Sequence, residues 1–177
     1  MDTCYACGAK LQVIKDKPYH YTECGLEVLL YGVIQYACPE CEETFTSIPN
    51  MQKLHRVIGA HICEQRKALL QPLEVKFLRK DLHLKAKDLA KALGVTPQTV
   101  SRWENGREQI GEAYDRLLRS IYMMYASEQA NHAIGQGQLN FFTNLPQKRK
   151  KIKEQKEITL TPQEWMGEVA DLCSAHA

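Results

Sequence analysis

The chain has no long apolar run. Its first residues, MDTCYACGAK, lack the apolar stretch of a signal peptide, and no later segment approaches the roughly 20 residues a membrane-spanning helix needs. Export and membrane insertion are therefore not expected, and a cytoplasmic location follows. Net charge is also scarce: 23 Lys and Arg against 21 Asp and Glu leave +2, too little to mark the whole molecule as a polyanion binder. No phosphate loop, no nucleophile–base pair and no open metal site stands out, so an enzyme is not expected.

What the chain does have is 7 cysteines among 177 residues. In a reducing compartment, paired cysteines point to metal before they point to disulfides. The pairs are Cys4 and Cys7 in CYACG, and Cys38 and Cys41 in CPEC. Two residues between ligands let one tight turn aim both sulfurs at a single ion while backbone N–H groups donate to them. Two such turns complete a tetrahedral thiolate cage. Soft thiolates and the absence of redox chemistry favour Zn²⁺, and a closed four-sulfur shell leaves no position for water or substrate, so the ion would be structural.

Between the pairs, KLQVIKDKPYHYTE and GLEVLLYGVIQYAC are rich in β-branched and aromatic residues, which predicts antiparallel strands that bring the chain back to its start. Competing ligands are Cys24, which lacks a CxxC partner, and the group His55, His61 and Cys63. That group lies in a segment of helical period through Met51, Leu54, Val57 or Ile58, Ile62 and Leu69, so Cys63 is expected to pack as a small hydrophobe. Cys173 is read as helix packing.

Charge is distributed unevenly. Residues 1–70 carry 7 basic and 8 acidic side chains, residues 71–126 carry 10 and 7, and residues 127–177 carry 6 of each. The middle segment thus has an electrostatic reason to approach phosphates, and its texture is helical. PLEVKFLRKDLHL puts Val75, Leu78 and Leu82 on one face. AKDLAKALG puts Ala86, Leu89, Ala90 and Leu93 on one face and stops at Gly94. Thr96 then reads as an N-cap with Pro97 at the first helical position. The next helix, PQTVSRWEN, closes at Gly106, and EAYDRLLRSIYMMY follows with an expected buried stripe of Tyr114, Leu117, Leu118, Ile121 and Tyr125.

At about 100° per residue, Val100 and Trp103 share one side of PQTVSRWEN, while Gln98, Ser101, Arg102 and Asn105 share the other. Gln can bond adenine bidentately and Arg can bond guanine, so this polar edge is a candidate for reading the major groove. The DNA-facing set is Gln98, Thr99, Ser101, Arg102, Asn105 and Arg107, with Lys85 and Lys87 ahead of it on the preceding helix. Glu104 is expected to pair with Arg79 and fix the geometry of the two helices.

LRKDLHLKAKDLAKALGVTPQTVSRWENG resembles the Xre-type helix-turn-helix of phage repressors and bacterial regulators. The chain as a whole resembles the MqsA-type antitoxins, over roughly residues 1–126, through the four paired cysteines, IKDKPYHY and VSRWENG. That resemblance implies a Cys4 zinc domain that neutralises a toxin and a helix-turn-helix that represses the operon, with base reading at Gln98 and Arg102. Where phage repressors use a DNA-contacting glutamine, this chain has Ala86 between Lys85 and Lys87, and lysine–phosphate contacts would replace it.

The family pattern ends before the tail. ASEQANHAIGQGQLNFFTNLP reads as a loop with a Phe141-Phe142 anchor, and QKRKKIKEQKE as a solvated linker or a DNA-grazing arm. TPQEWMGEVADLC carries a capping box, Thr161 with Glu164, and an apolar stripe of Trp165, Val169, Leu172 and Cys173. So short a helix must dock on something.

The expected architecture is α+β. Residues 1–70 form a zinc-bound antiparallel β domain with a helix, residues 71–126 form an all-α helix-turn-helix domain, and residues 127–177 form an extension ending in a short amphipathic helix. The expected function is a homodimeric repressor on a palindromic operator, acting as the antitoxin of a toxin–antitoxin pair. A stand-alone Xre-type regulator and, remotely, an iron–thiolate electron carrier are the rival readings.

Overall fold

The computed structural model describes residues 3–14, 17–65, 68–129 and 157–166. Five short strands come first: β1 (Gln12–Ile14), β2 (Tyr19–Tyr21), β3 (Val28–Leu30), β4 (Ile34–Ala37) and β5 (Thr44–Ser47). Helices α1 (Met51–Gln65), α2 (Pro72–Asp81), α3 (Ala86–Leu93), α4 (Pro97–Glu104) and α5 (Glu112–Gln129) follow. Strand β6 (Ile158–Leu160) and helix α6 (Pro162–Met166) close the described chain. The fold is α+β, as the pattern of the sequence implies.

The strands divide between two three-stranded sheets, in the orders β1–β4–β5 and β2–β3–β6. The first is antiparallel, with Val13 opposite Tyr36 and Tyr36 opposite Phe45. Those three side chains therefore share a face with Ile34, while Gln12, Gln35 and Thr46 point the other way. The second sheet pairs β2 with β3 antiparallel and then takes β6 in parallel from the far end of the sequence, with Val28 opposite Ile158 and Leu30 opposite Leu160.

Each helix stops and starts where its residues dictate. Glu74 reaches back to the N–H of Gln71 at 2.8 Å and opens α2. Gly94 ends α3 at φ +69°, a conformation that only glycine adopts without strain. Thr96 accepts the Thr99 N–H at 3.2 Å and caps α4, whose first residue is Pro97. Two details depart from the periodicity reading. Helix α1 ends at Gln65, so Leu69 belongs to the connection after it, and Met51 is exposed. On α5 the buried stripe runs through Asp115, Leu118, Arg119 and Tyr122, whereas Leu117 is 41% exposed. The rotation follows from a charged pair turned inward, because Arg119 serves the end of α1.

Two cores result. The larger joins both halves of the chain: Tyr21, Val28 and Leu30 of the second sheet, Leu54, Ile58 and Ile62 of α1, Leu78 of α2, Leu89 of α3, Val100 and Trp103 of α4, and Leu118 and Tyr122 of α5. The smaller consists of Cys4, Leu11 and Cys38, flanked by Tyr36, Cys41 and Phe45. Within the larger core, α1 and α5 cross at Gly59, where a Cβ would lie 2.0 Å from the Tyr122 hydroxyl. Tyr122 cannot move aside easily, since it is fully buried and donates to Asp81 at 2.6 Å. Gly59→Ala is therefore expected to destabilise the protein by about 1–3 kcal/mol through overpacking, read as a lower denaturant midpoint at unchanged slope.

The end of the described chain docks on this core. Ile158, Leu160 and Trp165 are all buried, and the Trp165 indole donates to the Tyr31 carbonyl at 2.9 Å. Glu164 accepts both the N–H and the hydroxyl of Thr161, at 2.7 and 2.8 Å, which is the glutamate half of the expected capping box; the Glu164 N–H goes to the Thr161 carbonyl instead of its hydroxyl. The short helix docks on its own protein, against α1. Phe141-Phe142, the basic run and the predicted stripe residues Val169, Leu172 and Cys173 lie outside the described residues.

Candidate metal centre and nucleic-acid interface

The two CxxC turns have the same local geometry. In the first, Gly8 donates to the Cys4 carbonyl at 2.9 Å and Cys4 donates to the Ala9 carbonyl at 2.8 Å. In the second, Glu42 donates to Cys38 at 3.2 Å and Cys38 donates to Glu43 at 2.9 Å. Both turns need a left-handed residue four places after the first cysteine: Gly8 at φ +75° supplies it in one, Glu42 at φ +60° in the other. Strands β1, β4 and β5 then hold the two turns face to face.

The four sulfurs consequently converge. Cys4 and Cys41 lie 3.5 Å apart, Cys7 and Cys38 lie 3.4 Å apart, and all four Sγ atoms fall within 4.8 Å of one another. Disulfides require about 2.05 Å, so these are free thiols. A tetrahedron with metal–sulfur bonds of ~2.3 Å has edges of ~3.8 Å, and the observed spacing fits it. The cluster could thus hold one metal ion.

The surrounding peptide groups favour the charged form of the sulfurs. The N–H of Cys41, followed by that of Glu40, holds the Cys38 thiol down to about 7. The Glu43 N–H acts likewise on Cys41, but the adjoining Cys38 thiol and burial outweigh it and push Cys41 up to about 12. Four sulfurs this close cannot all ionise unless a cation sits among them.

The competing ligands sit elsewhere. Cys24 is half-buried and faces the Leu26 carbonyl, and burial raises its thiol. Cys63 is fully buried in the larger core, where burial raises its thiol as well. His55 bridges Tyr21, at 2.7 Å from its hydroxyl, and Asp81, at 3.7 Å. Burial lowers its pKa against the pull of that carboxylate.

Helices α3 and α4 form the second candidate site. Val100 and Trp103 are buried, while Gln98, Ser101, Arg102 and Asn105 are exposed on the opposite side of α4. The Arg79 guanidinium grips Glu104 with two nitrogens, Nε on Oε1 and Nη2 on Oε2 at 2.9 Å, and its third nitrogen donates to the Leu84 carbonyl at 2.8 Å. One side chain thereby ties α2 to α4 and to the turn before α3.

The eight polar positions singled out from the sequence differ in freedom. Gln98, Arg107, Lys85 and Lys87 are exposed. Arg102 is exposed too, with a loose contact to Glu108 at 3.8 Å. Thr99 is half-buried, and its hydroxyl is paired with that of Thr96 at 2.9 Å. Asn105 folds back on the helix, donating to the Ser101 carbonyl at 2.7 Å and to its hydroxyl at 3.3 Å. Gln98 and Arg102 are thus the long polar side chains of α4 that project outward without a cap to serve.

Comparison with protein families adds a decisive observation. The family described as "Antitoxin component of bacterial toxin-antitoxin system, MqsA" matches residues 2–123. The chain belongs to this antitoxin family. No curated protein matches it. The match spans both the thiol cage and the α3–α4 pair, and it ends before β6 and α6.

Sequence reasoning missed one surface. Val13, Ile34, Tyr36 and Phe45 make an apolar face on the β1–β4–β5 sheet, and Tyr5 stands edge-on to Phe45 at 5.8 Å between centroids. Tyr5, Val13 and Ile34 are 76%, 52% and 50% exposed, so apolar side chains stand open to solvent beside the cage. The alternation in GVIQYA and ETFTS was its signal.

Proposed function

We propose that the protein is a zinc-binding antitoxin that also represses transcription, with Cys4, Cys7, Cys38 and Cys41 as the ligands of one structural Zn²⁺. The zinc holds the two turns together and thereby shapes the β1–β4–β5 sheet, whose apolar face is the surface offered to a toxin. Helix α4 enters the major groove, with Gln98 and Arg102 reading bases. Lys85, Lys87 and Arg107 hold phosphates, and Ser101, Thr99 and Asn105 fix the edge of the helix. A homodimer on a palindromic operator would place two such helices about 34–36 Å apart, one turn of the duplex.

The observation that carries the DNA-binding part is the pairing of Arg79 with Glu104 beneath an exposed Gln98/Arg102 edge. A rigid scaffold under free long polar side chains is what base reading requires. Arg102→Ala is expected to weaken operator binding by about 1–3 kcal/mol and to relax selectivity at one base, measured by fluorescence anisotropy on operator and single-base variants. An equal loss on random duplex DNA would reduce Arg102 to a backbone contact.

A second reading, a stand-alone Xre-type regulator, draws on β6 and α6, which lie outside the family match and dock on the zinc-bearing half. Co-purification with the product of a neighbouring small reading frame separates the two readings.

A further inference from the structure

The β2–β3 hairpin ends in a recess that residues 157–166 fill. Strand β6 lies along the edge of β3, with Ile158 donating to the Glu27 carbonyl at 3.0 Å and Tyr31 donating to the Leu160 carbonyl at 3.1 Å. The Tyr31 carbonyl takes the Trp165 indole N–H at 2.9 Å, so both backbone groups of Tyr31 are committed to this segment. Ile158, Leu160 and Trp165 point inward and are buried, while Thr159 points out. Gly32 supplies a notch: a Cβ there would lie 2.6 Å from Cγ of Pro162. On the other side, Lys53 of α1 donates to the Met166 carbonyl at 3.0 Å.

These features recognise a pattern, not only a location. Two apolar side chains at alternate positions fit the pleat of a strand, a proline fits the glycine notch, and an indole fits the Tyr31 carbonyl. Adding an extended segment to a sheet edge in this way is a recurrent mode of peptide recognition, in which main-chain bonds supply affinity and alternate side chains supply specificity. The hold is economical. Ten residues are ordered by three buried side chains and a ladder three residues long, against the conformational entropy of every residue fixed. Covalent attachment through residues 130–156 makes docking intramolecular, which for peptide linkers corresponds to effective concentrations on the order of millimolar. A bare β3 edge would also invite unwanted strand pairing, so a resident cover has a physical purpose.

We propose that the β3 edge, with the Gly32 notch and the Tyr31 carbonyl, is a strand-docking site for extended apolar-x-apolar-Thr-Pro-x-x-Trp segments, and that residues 157–166 are its tethered, exchangeable occupant. An extended strand of another protein reaches this edge only by displacing them. The proposal is independent of the toxin reading, because it concerns the second sheet and not the apolar face beside the cage.

The test uses a fluorescent peptide of residues 155–168 and the full-length protein. In the full chain carrying Ile158→Asp and Trp165→Ala, the resident segment is unseated while β3, Tyr31 and Gly32 stay as they are. That protein is expected to bind the peptide at least tenfold more tightly than the unsubstituted chain does, and a peptide carrying the same two changes is expected not to bind. Equal binding by the two proteins, or none by the folded variant, overturns the proposal. Native-state hydrogen exchange on the unsubstituted chain gives a reading that needs no variant. The Ile158 and Tyr31 amides are expected to exchange together, and faster than Ile58 and Ile62 of α1. Exchange only in step with α1 would make the segment a permanent strand and end the proposal.

Discussion

Stripping metal from the cysteine cage is expected to unfold the β1–β4–β5 sheet and to leave the rest of the protein folded. The reason is the size of what remains without an ion. Cys4, Leu11 and Cys38 are the buried members of the smaller core, and two of the three belong to the cysteine cage. A core that small cannot balance the entropy of fixing residues 3–14 and 34–47, whereas a structural zinc site contributes an apparent ~10–16 kcal/mol near neutral pH. Strands β2 and β3 and helix α1 belong to the larger core, which includes none of the four cage cysteines. From the sequence, loss of metal should release the whole of residues 1–70; the division of the cores moves the expected boundary to within that segment. Hydrogen exchange with mass spectrometry under a strong chelator reads the outcome directly. Peptides from β1, β4 and β5 should lose protection, while those from Leu54 to Ile62 keep it. Retained protection in β4 after complete metal removal would show that the sheet stands on its own contacts. The pH dependence has a fixed sign, because the ligands bind as thiolates: acid competes with the metal, so the sheet should be lost as pH falls.

The elements legible in the sequence were those governed by local rules. Gly94, Thr96 and Pro97 announce the α3–α4 turn by backbone chemistry alone, and the structure has it where those residues stand. The CxxC spacing announces the cage for the same reason, since a knuckle is defined within five residues. The Arg79–Glu104 grip followed from charge and topology together. What could not be read depends on contacts between distant segments. Leu117 fits an apolar stripe as well as Leu118 does, and Arg119 argues for solvent; only the approach of the α1 terminus makes Arg119 the inward residue. Strand β6 is three residues long, too short for its alternation to announce a strand, and its pairing with β3 depends on the β3 edge and the Gly32 notch. The apolar face of the first sheet required the register, because Val13, Tyr36 and Phe45 come from three strands.

The buried ion pair on α5 carries the largest expected effect of any single substitution away from the cysteine cage. Arg119 and Asp115 are both wholly excluded from solvent, with Nε 3.1 Å from Oδ2. An isolated pair of this kind would contribute little, because desolvation of two charges offsets their attraction, and apolar replacements of similar volume often serve equally well. Here the pair also bonds backbone groups of the connection between α1 and α2. Arg119 donates to the carbonyls of Ile62 at 2.6 Å, Cys63 at 2.8 Å and Ala68 at 3.0 Å, which include the last turn of α1. Asp115 accepts the Leu70 N–H at 2.8 Å on the far side of the same connection. Arg119→Ala would leave a buried carboxylate without its cation and those carbonyls without this donor, so a loss of about 3–5 kcal/mol is expected in chemical denaturation. The decisive comparison is the double substitution Asp115→Leu with Arg119→Met. Were the charges merely tolerated, that variant would recover wild-type stability. Because the carbonyls lose the Arg119 donor and the Leu70 N–H loses its carboxylate, it is expected to remain well below wild type and to open first between α1 and α2. Full recovery in the double variant would refute the assignment of Arg119 as the cap that fastens the end of α1 to α5.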